Sequence, residues 1–422
     1  METWALTLAR GLGRLGAEVV VASRDERGDQ TSFSVTEDRG AHGGTVFWIA
    51  HRHADARSFR DTWDDDRMEA ALRSVVRAAR PDVIHLAHPD GFGVAPLRLA
   101  RQAGVPLVVT LHDAKWFCGR GQLVRADGGV CAAAEEETCV RCLGDQLGRG
   151  PVRGALSRRA PAVLKRWASP TSALEGRRDP GAVARRRWRA REAALATVLD
   201  GADAVLSPSQ FFADLAARHG CTRPVQVVPN GIDGPTATPL APTQPLRVGW
   251  FGVPAPTKGL TELIAATADG GCALHVHGAD EPGVSSLLGG PLPRHVLAHG
   301  PYAPDGVFER MESVDLVALP SRWPENQPMV ALEARAAGRP LAVADVGGLP
   351  ELVRHGVDGW VVPAGGWRAQ LRELAANPSL LSAAVAAASP VPDGTSLARA
   401  HARVYQGTLG PLAPALREPR PV

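Results

Sequence analysis

Short runs of β-branched and other apolar residues alternate with Ala/Leu-rich helical stretches along this 422-residue chain. The alternation stops once, in a Pro-rich stretch at 235–245, and then starts again. Strand-then-helix alternation is the pattern of a parallel sheet covered by helices on both faces. One hydrophobic core seldom serves more than about 250–300 residues, so the interruption reads as a linker between two such domains. In the first half the runs at 18–22, 45–49, 83–86, 107–111, 204–207 and 225–228 predict strands. In the second half those at 246–251, 273–277, 295–298, 316–319, 341–344 and 360–362 do so, with helices over 260–266, 328–337 and, opened by Pro350, 350–353. Both halves are therefore expected to be doubly wound α/β domains. In such sheets ligands sit beyond the carboxyl ends of the strands, so the loops after strands are where chemistry is sought.

Composition narrows the function classes. Forty-seven basic against 44 acidic residues leave a net +3, and aromatics are 5% of the chain, a poor basis for binding polynucleotide. No apolar run approaches the roughly 18 residues of a spanning helix, and the chain is expected to be soluble and cytoplasmic. Charge is uneven, however. Thirteen Arg/Lys against Glu175 and Asp179 give the segment 149–191 a charge of +11, leaving −8 for the remainder. A solvated helical face accounts for this. With Trp167 and Trp188 inside it, so does a surface for peripheral membrane contact or an acidic partner.

Three stretches carry chemistry. After the predicted strand ending at Leu319, Glu325 and Glu333 lie on either side of a helix start, with Asn326, Gln327, Pro328, Met329 and Val330 between them. Helix N-termini favour anions, and flanking carboxylates can take hydrogen bonds from sugar hydroxyls. Alone, the same spacing describes any helix with acidic residues near its start. Next, Phe251-Gly252-Val253 and Lys258-Gly259 bound a turn where an ammonium can neutralise a leaving phosphate. An exposed turn lysine is the plainer reading, but Lys258 is one of only three lysines, with Lys115 and Lys165, in a chain of 44 arginines. Finally, His112 ends the strand 107–111 with Asp113 beside it to orient it. An imidazole there can exchange a proton or simply serve as a structural hydrogen-bonder.

Together these stretches resemble glycosyltransferase family 4, retaining enzymes of the GT-B fold in which two Rossmann-like domains face a cleft. So do Val228-Pro229-Asn230-Gly231-Ile232-Asp233, His277-Gly278 and His299-Gly300-Pro301-Tyr302. The resemblance implies transfer of a sugar from a UDP, GDP or dTDP donor to a hydroxyl acceptor, with no cofactor and no divalent metal at the reaction centre. It makes His112, Glu325 and Lys258 the catalytic set. Gly252, Gly259, His277, Gly278, Gly300, Tyr302, Asn326, Gln327, Met329, Val330 and Glu333 join Lys258 and Glu325 around the donor, with Glu333 on the ribose. Asp113, Arg120 and Gln122 fall on the acceptor side. Val253 stands where the family has arginine, and Asn-Gln-Pro replaces its glycine-rich loop. Val253 and the N-terminus keep in view a helper subunit that binds a nucleotide sugar without turnover; a nucleotide-sugar epimerase on the same fold is a further alternative, against which the pattern at 320–334 argues.

The implied domains are 1–234 for the acceptor and 246–390 for the donor, with a helix at 391–409 crossing back and a disordered tail at 410–422. Met1-Glu2-Thr3-Trp4 aligns with the start of the family's first helix, so the first strand and its loop are expected to be missing. Within the first domain an insertion at about 114–150 holds Cys118, Cys131, Cys139 and Cys142. Four thiols, two of them spaced Cys-x-x-Cys, suit a structural zinc site. Free thiols, or a redox pair or iron–sulfur cluster, remain alternatives, while Cys221 and Cys272 are read as core thiols.

Overall fold

A computed structural model describes residues 2–27, 30–40, 44–52, 55–148, 180–235, 237–269 and 271–409. Most of the basic segment, Trp167 with it, and the tail from 410 lie outside these. The chain divides into two compact units. One comprises Met1–Gly11, Pro208–Phe212 and Val227–Ala398, and the other Leu12–Ser207, Ala213–Gln226 and Arg399–Val422.

The first unit is built on a six-stranded sheet. β8 (Leu246–Phe251), β9 (Cys272–His277), β10 (Val296–Ala298), β11 (Leu316–Leu319), β12 (Leu341–Ala344) and β13 (Gly359–Val362) run in the order β10-β9-β8-β11-β12-β13, all parallel. Leu316–Leu319 and Leu341–Ala344 are buried at every residue, as strands covered on both faces must be. The order reverses at β8: β9 and β10 lie on one side of it, β11 to β13 on the other. Loops leaving β8, β9 and β11 therefore border the switch point where such sheets take ligands.

In the second unit, β1 (Val20–Asp25), β2 (Val35–Arg39) and β3 (Thr45–Ala50) make one sheet of order β1-β3-β2. β4 (Ile84–Leu86), β5 (Leu107–Thr110), β6 (Ala204–Ser207) and β7 (Val225–Val227) make another in chain order. The strands predicted for the first half are all present, but they do not share one sheet: β1 and β4 each sit at an edge. β2, which pairs antiparallel with β3, is absent from the sequence reading because Val-Thr-Glu-Asp-Arg carries three charges and almost no apolar signal.

Helices cover the sheets: α1 (Glu2–Arg14), α2 (Asp66–Ala79), α3 (Ala95–Ala103), α4 (Glu136–Leu143), α5 (Asp145–Gly148), α6 (Pro180–Gly201) and α7 (Gln210–Arg218), then α8 (Leu260–Ala266), α9 (Glu281–Leu288), α10 (Val307–Glu312), α11 (Met329–Ala336), α12 (Trp367–Ala376), α13 (Ser379–Ala387) and α14 (Gly394–Leu409). Asp65 caps α2 by accepting from the Arg67 N–H, and Arg80 ends it in the left-handed conformation before Pro81. The segment 350–353 forms a 3₁₀ turn, Leu349–Leu352, with Pro at its first position. Among the described residues no helix is long and apolar enough to cross a membrane.

Candidate functional site

Lys258 closes a 3₁₀ turn after β8, and Gly259 follows with φ of 69°. A Cβ at position 259 would stand 1.8 Å from the Pro320 carbonyl oxygen. The glycine thus lets the loop after β8 press directly on the loop after β11. That contact sets Lys258 Nζ 3.0 Å from Glu325 Oε1 and 5.2 Å from the centre of the Trp323 ring. Glu325 is 7% exposed; it also accepts from the Ser321 hydroxyl, and its carbonyl accepts from the Gly348 N–H at 2.8 Å. Two residues 67 positions apart, each chosen from its own motif, form one ion pair at the switch point. An ammonium held in this way is oriented before any anion arrives.

Gly278, after β9, has φ of 101°, and a Cβ there would meet the Gly252 carbonyl at 2.4 Å. Gly252 donates its N–H to the His277 carbonyl, and Gly278 donates to that of Gly300. Three of the four glycines expected at the donor, Gly252, Gly278 and Gly300, are therefore joined through backbone hydrogen bonds. Met329 and Val330 open α11, whose first-turn amides make an anion-favouring end. Gln327, expected to meet the sugar, is tied to Asn230 instead: its Oε1 accepts the Asn230 N–H at 2.6 Å and its carbonyl accepts from Asn230 Nδ2 at 3.1 Å. Asn326 is buried.

Glu333 lies on the second turn of α11, half-buried, and burial pushes its carboxyl up to about 7. Tyr302, whose phenol burial and the nearby Glu333 push up to about 12, meets Phe251 edge-on with centroids 6.2 Å apart. Phe251 in turn stacks on His277 at 4.6 Å, and His277 stacks on His299 at 4.4 Å. Register explains the row: Phe251 pairs with His277 across β8 and β9, and His299 directly follows β10. His275, two residues earlier on the same face, hydrogen-bonds His299 through its Nδ1 at 3.0 Å. Burial pushes His277 down to about 3 and His275 down to about 4. His275 was not singled out in the sequence, and His299 entered only as the first residue of the motif at 299–302; their placement at adjacent strands becomes a cluster only once the strand order is known.

In the second unit His112 follows β5. It is half-buried overall, but its Nε2 is shut off from solvent, and burial lowers its pKa well below the usual range. Asp113 was expected to orient it. Instead, Asp113 Oδ2 pairs with His88 Nε2 at 2.7 Å and Oδ1 accepts the Lys115 N–H at 2.8 Å, capping the turn Ala114–Trp116. A carboxylate at a helical-turn start is drawn to the turn's own amide, which is the local geometry that redirects it. His85 bonds the Tyr405 hydroxyl and Thr110 Oγ1, both at 2.7 Å, and stacks on His401. Arg120 and Gln122 are exposed.

The four clustered cysteines are free thiols and line one cavity of about 20 Å³. Cys272 is buried as expected, whereas Cys221 is only half-buried. Beside the cluster, the described end of the basic segment is committed within its own unit. Arg189 makes two bonds to the Glu136 carboxylate, Arg187 donates to the Leu147 carbonyl, and Trp188 is fully buried. Trp188, read as part of a membrane-facing surface, is thus unavailable for one.

Two family descriptions match this chain over most of its length. Residues 1–231 match the glycosyl transferase 4-like domain and residues 246–377 the glycosyl transferases group 1. The chain belongs to this glycosyltransferase family. The curated relatives of this chain include D-inositol 3-phosphate glycosyltransferases, 42% identical over 88 residues in Mycolicibacterium vanbaalenii and 35% over 140 residues in Nocardia farcinica. These matches span 20% and 29% of this chain, and 19% and 30% of the relatives. Among solved structures, sucrose-phosphate synthase from Thermosynechococcus elongatus superposes with a TM-score of 0.57 at 16% identity, covering 93% of this chain and 87% of its own. HepE of Anabaena, solved with UDP and glucose, gives 0.58 at 17% identity over 95% and 94%. At such identities the likeness shows the fold alone, and that fold is GT-B: α/β, with parallel sheets in two Rossmann-like domains.

Proposed function

We propose that this glycosyltransferase moves a sugar from a nucleoside-diphosphate donor to a hydroxyl acceptor with retention at the anomeric carbon. The Lys258–Glu325 pair carries the reading, because it fixes a cation at the carboxyl ends of β8 and β11, next to the amide-rich start of α11. In that place an ammonium offsets charge on a departing diphosphate. Support for a nucleotide comes from Glu333, which the family resemblance assigns to the ribose, and from the Phe251–His277–His299 stack. The UDP present in the HepE structure agrees with this donor class. The acceptor oxygen bonds the anomeric carbon on the face from which the diphosphate leaves, and its proton passes to the leaving phosphate oxygen. His112 is assigned to the sugar or acceptor on the family resemblance.

The exposed Val253, at the position where the family has arginine, favours one other reading, a nucleotide-sugar-binding helper. Full-length protein incubated with UDP, GDP and dTDP sugars, with and without EDTA and with a bacterial extract as acceptor source, tests both. Transfer or donor hydrolysis that survives EDTA supports the enzyme without a divalent metal at its centre. Binding with no turnover of any donor refutes it in favour of the helper, and epimerised donor refutes it in favour of an epimerase.

A further inference from the structure

The cysteine cavity is built from three separate pieces of chain. Cys118 follows the turn Ala114–Trp116, Cys131 follows the isolated bridge between Val124 and Val130, and Cys139 and Cys142 sit one turn apart on α4. Between Ala114 and Gly148 regular structure is limited to that turn, that bridge and the short helices α4 and α5. Segments with so little core of their own commonly draw on a crosslink or a metal. No disulfide joins the four thiols. The rest of the cavity wall includes the apolar side chains of Leu123, Val124, Ala134 and Leu143. At about 20 Å³ it has room for a single ion or water.

A second observation points to what belongs there. Arg191, on α6, is 4% exposed, and its Nη1 is buried without a hydrogen-bond partner, while Nη2 donates to the Lys115 carbonyl and the guanidinium lies 5.4 Å from the Trp188 ring centre. Burial lowers its pKa to about 10, and of the neighbouring groups that oppose this Cys118 comes first, ahead of Glu192, Asp90 and Cys139. Asp90 already pairs with Lys115 at 3.0 Å and Arg24 at 3.2 Å. A buried guanidinium whose Nη1 has no hydrogen-bond partner, near the thiols of Cys118 and Cys139, is only partly offset by Glu192. Four thiolates on a divalent cation carry a net charge of −2, which offsets it.

We propose that Cys118, Cys131, Cys139 and Cys142 bind one Zn²⁺ as a tetrahedral tetrathiolate that holds the 114–148 segment in shape. Binding replaces four S–H bonds by four Zn–S bonds and releases four protons, so uptake is favoured by rising pH. Among the described residues only His275, His277 and His299 bring three ligating atoms within 4.8 Å of one another. The sulfurs therefore line the cavity more openly than in the bound state, and the ion draws them in to about 2.3 Å. The histidine trio is the weaker metal candidate, because its ring planes lie 8° to 25° apart and its nitrogens aim in near-parallel planes instead of at one point.

The test uses the full chain, produced without a polyhistidine tag in zinc-containing medium and dialysed against metal-free buffer. Elemental analysis is expected to find about one zinc per chain, and an organomercurial to release it as the four thiols are modified. Cobalt replacing zinc is expected to give the intense visible bands of tetrahedral thiolate coordination. Cys142→Ser, at a half-buried position, is expected to weaken zinc binding at least about tenfold while Cys221→Ser leaves it unchanged. Protein that is folded by circular dichroism yet holds no metal, takes up neither zinc nor cobalt, and presents four freely alkylated thiols overturns the proposal. Iron with acid-labile sulfide in place of zinc also overturns it.

Discussion

Replacing Lys258 by methionine probes the proposed site most directly. The side chain stays long and apolar enough to keep contact with Trp323, while the charge beside Glu325 is lost. Two effects follow, and they separate in measurement. Glu325 is 7% exposed and would lose its cation, which for a fully buried pair costs about 3–5 kcal/mol. The Lys258 side chain is 35% exposed, so solvent screens the pair, and about 1–2 kcal/mol of stability is the discounted expectation in urea unfolding. The second effect is on the ligand. A charge-assisted bond to phosphate contributes roughly 1.5–3 kcal/mol, so calorimetry should show nucleoside-diphosphate affinity falling by about 10- to 150-fold. The corresponding monophosphate should change by less than about threefold, because the ammonium acts on the second phosphate. Adding Glu325→Gln to Lys258→Met should recover most of the lost stability but none of the diphosphate affinity. Equal weakening of mono- and diphosphate, or no weakening of either, refutes the placement of Lys258 at the diphosphate.

Other predictions rest on separate parts of the molecule. Burial raises the Glu333 pKa to about 7, so its contribution to stability is complete below about 4.5 and is lost as pH rises through 7; Glu333→Gln should flatten urea midpoints measured between pH 5 and 8. Because ribose hydroxyls favour the ionised carboxylate, wild-type nucleotide affinity should rise from pH 6 to pH 8 and that of Glu333→Gln should not. Gly259→Ala forces a side chain into a left-handed position 1.8 Å from a carbonyl oxygen, and a loss of about 2–4 kcal/mol is expected by chemical denaturation. Trp188→Ala should cost about 3–5 kcal/mol without changing liposome flotation, since the ring is fully enclosed.

Local patterns made much of this legible before any coordinates. Continuous apolar runs such as Leu316–Leu319 announce strands covered on both faces, and Pro350 marks a helical turn through its fixed φ. Gly259, Lys258, Glu325 and Glu333 stood out because family resemblance and residue type agreed. Asp113 did not behave as its neighbour in sequence suggested, because the turn it begins offered a nearer donor and His88 came from another strand end.

The sequence by itself determined the α/β class and the two-part organisation, which follow from periodicity and residue type within about 15 residues, while the family resemblance singled out the loops proposed to bind the donor. Tertiary structure alone decided that Lys258 meets Glu325, that the first-half strands divide into two sheets, and that Trp188 and Arg191 are buried near Cys118 and Cys139. It also decided that Glu333 lies where burial raises its carboxyl pKa, and that Phe251, His277 and His299 form one stack. Charge, burial and ring contacts depend on which distant segments share a surface, and strand order sets that, not spacing along the chain.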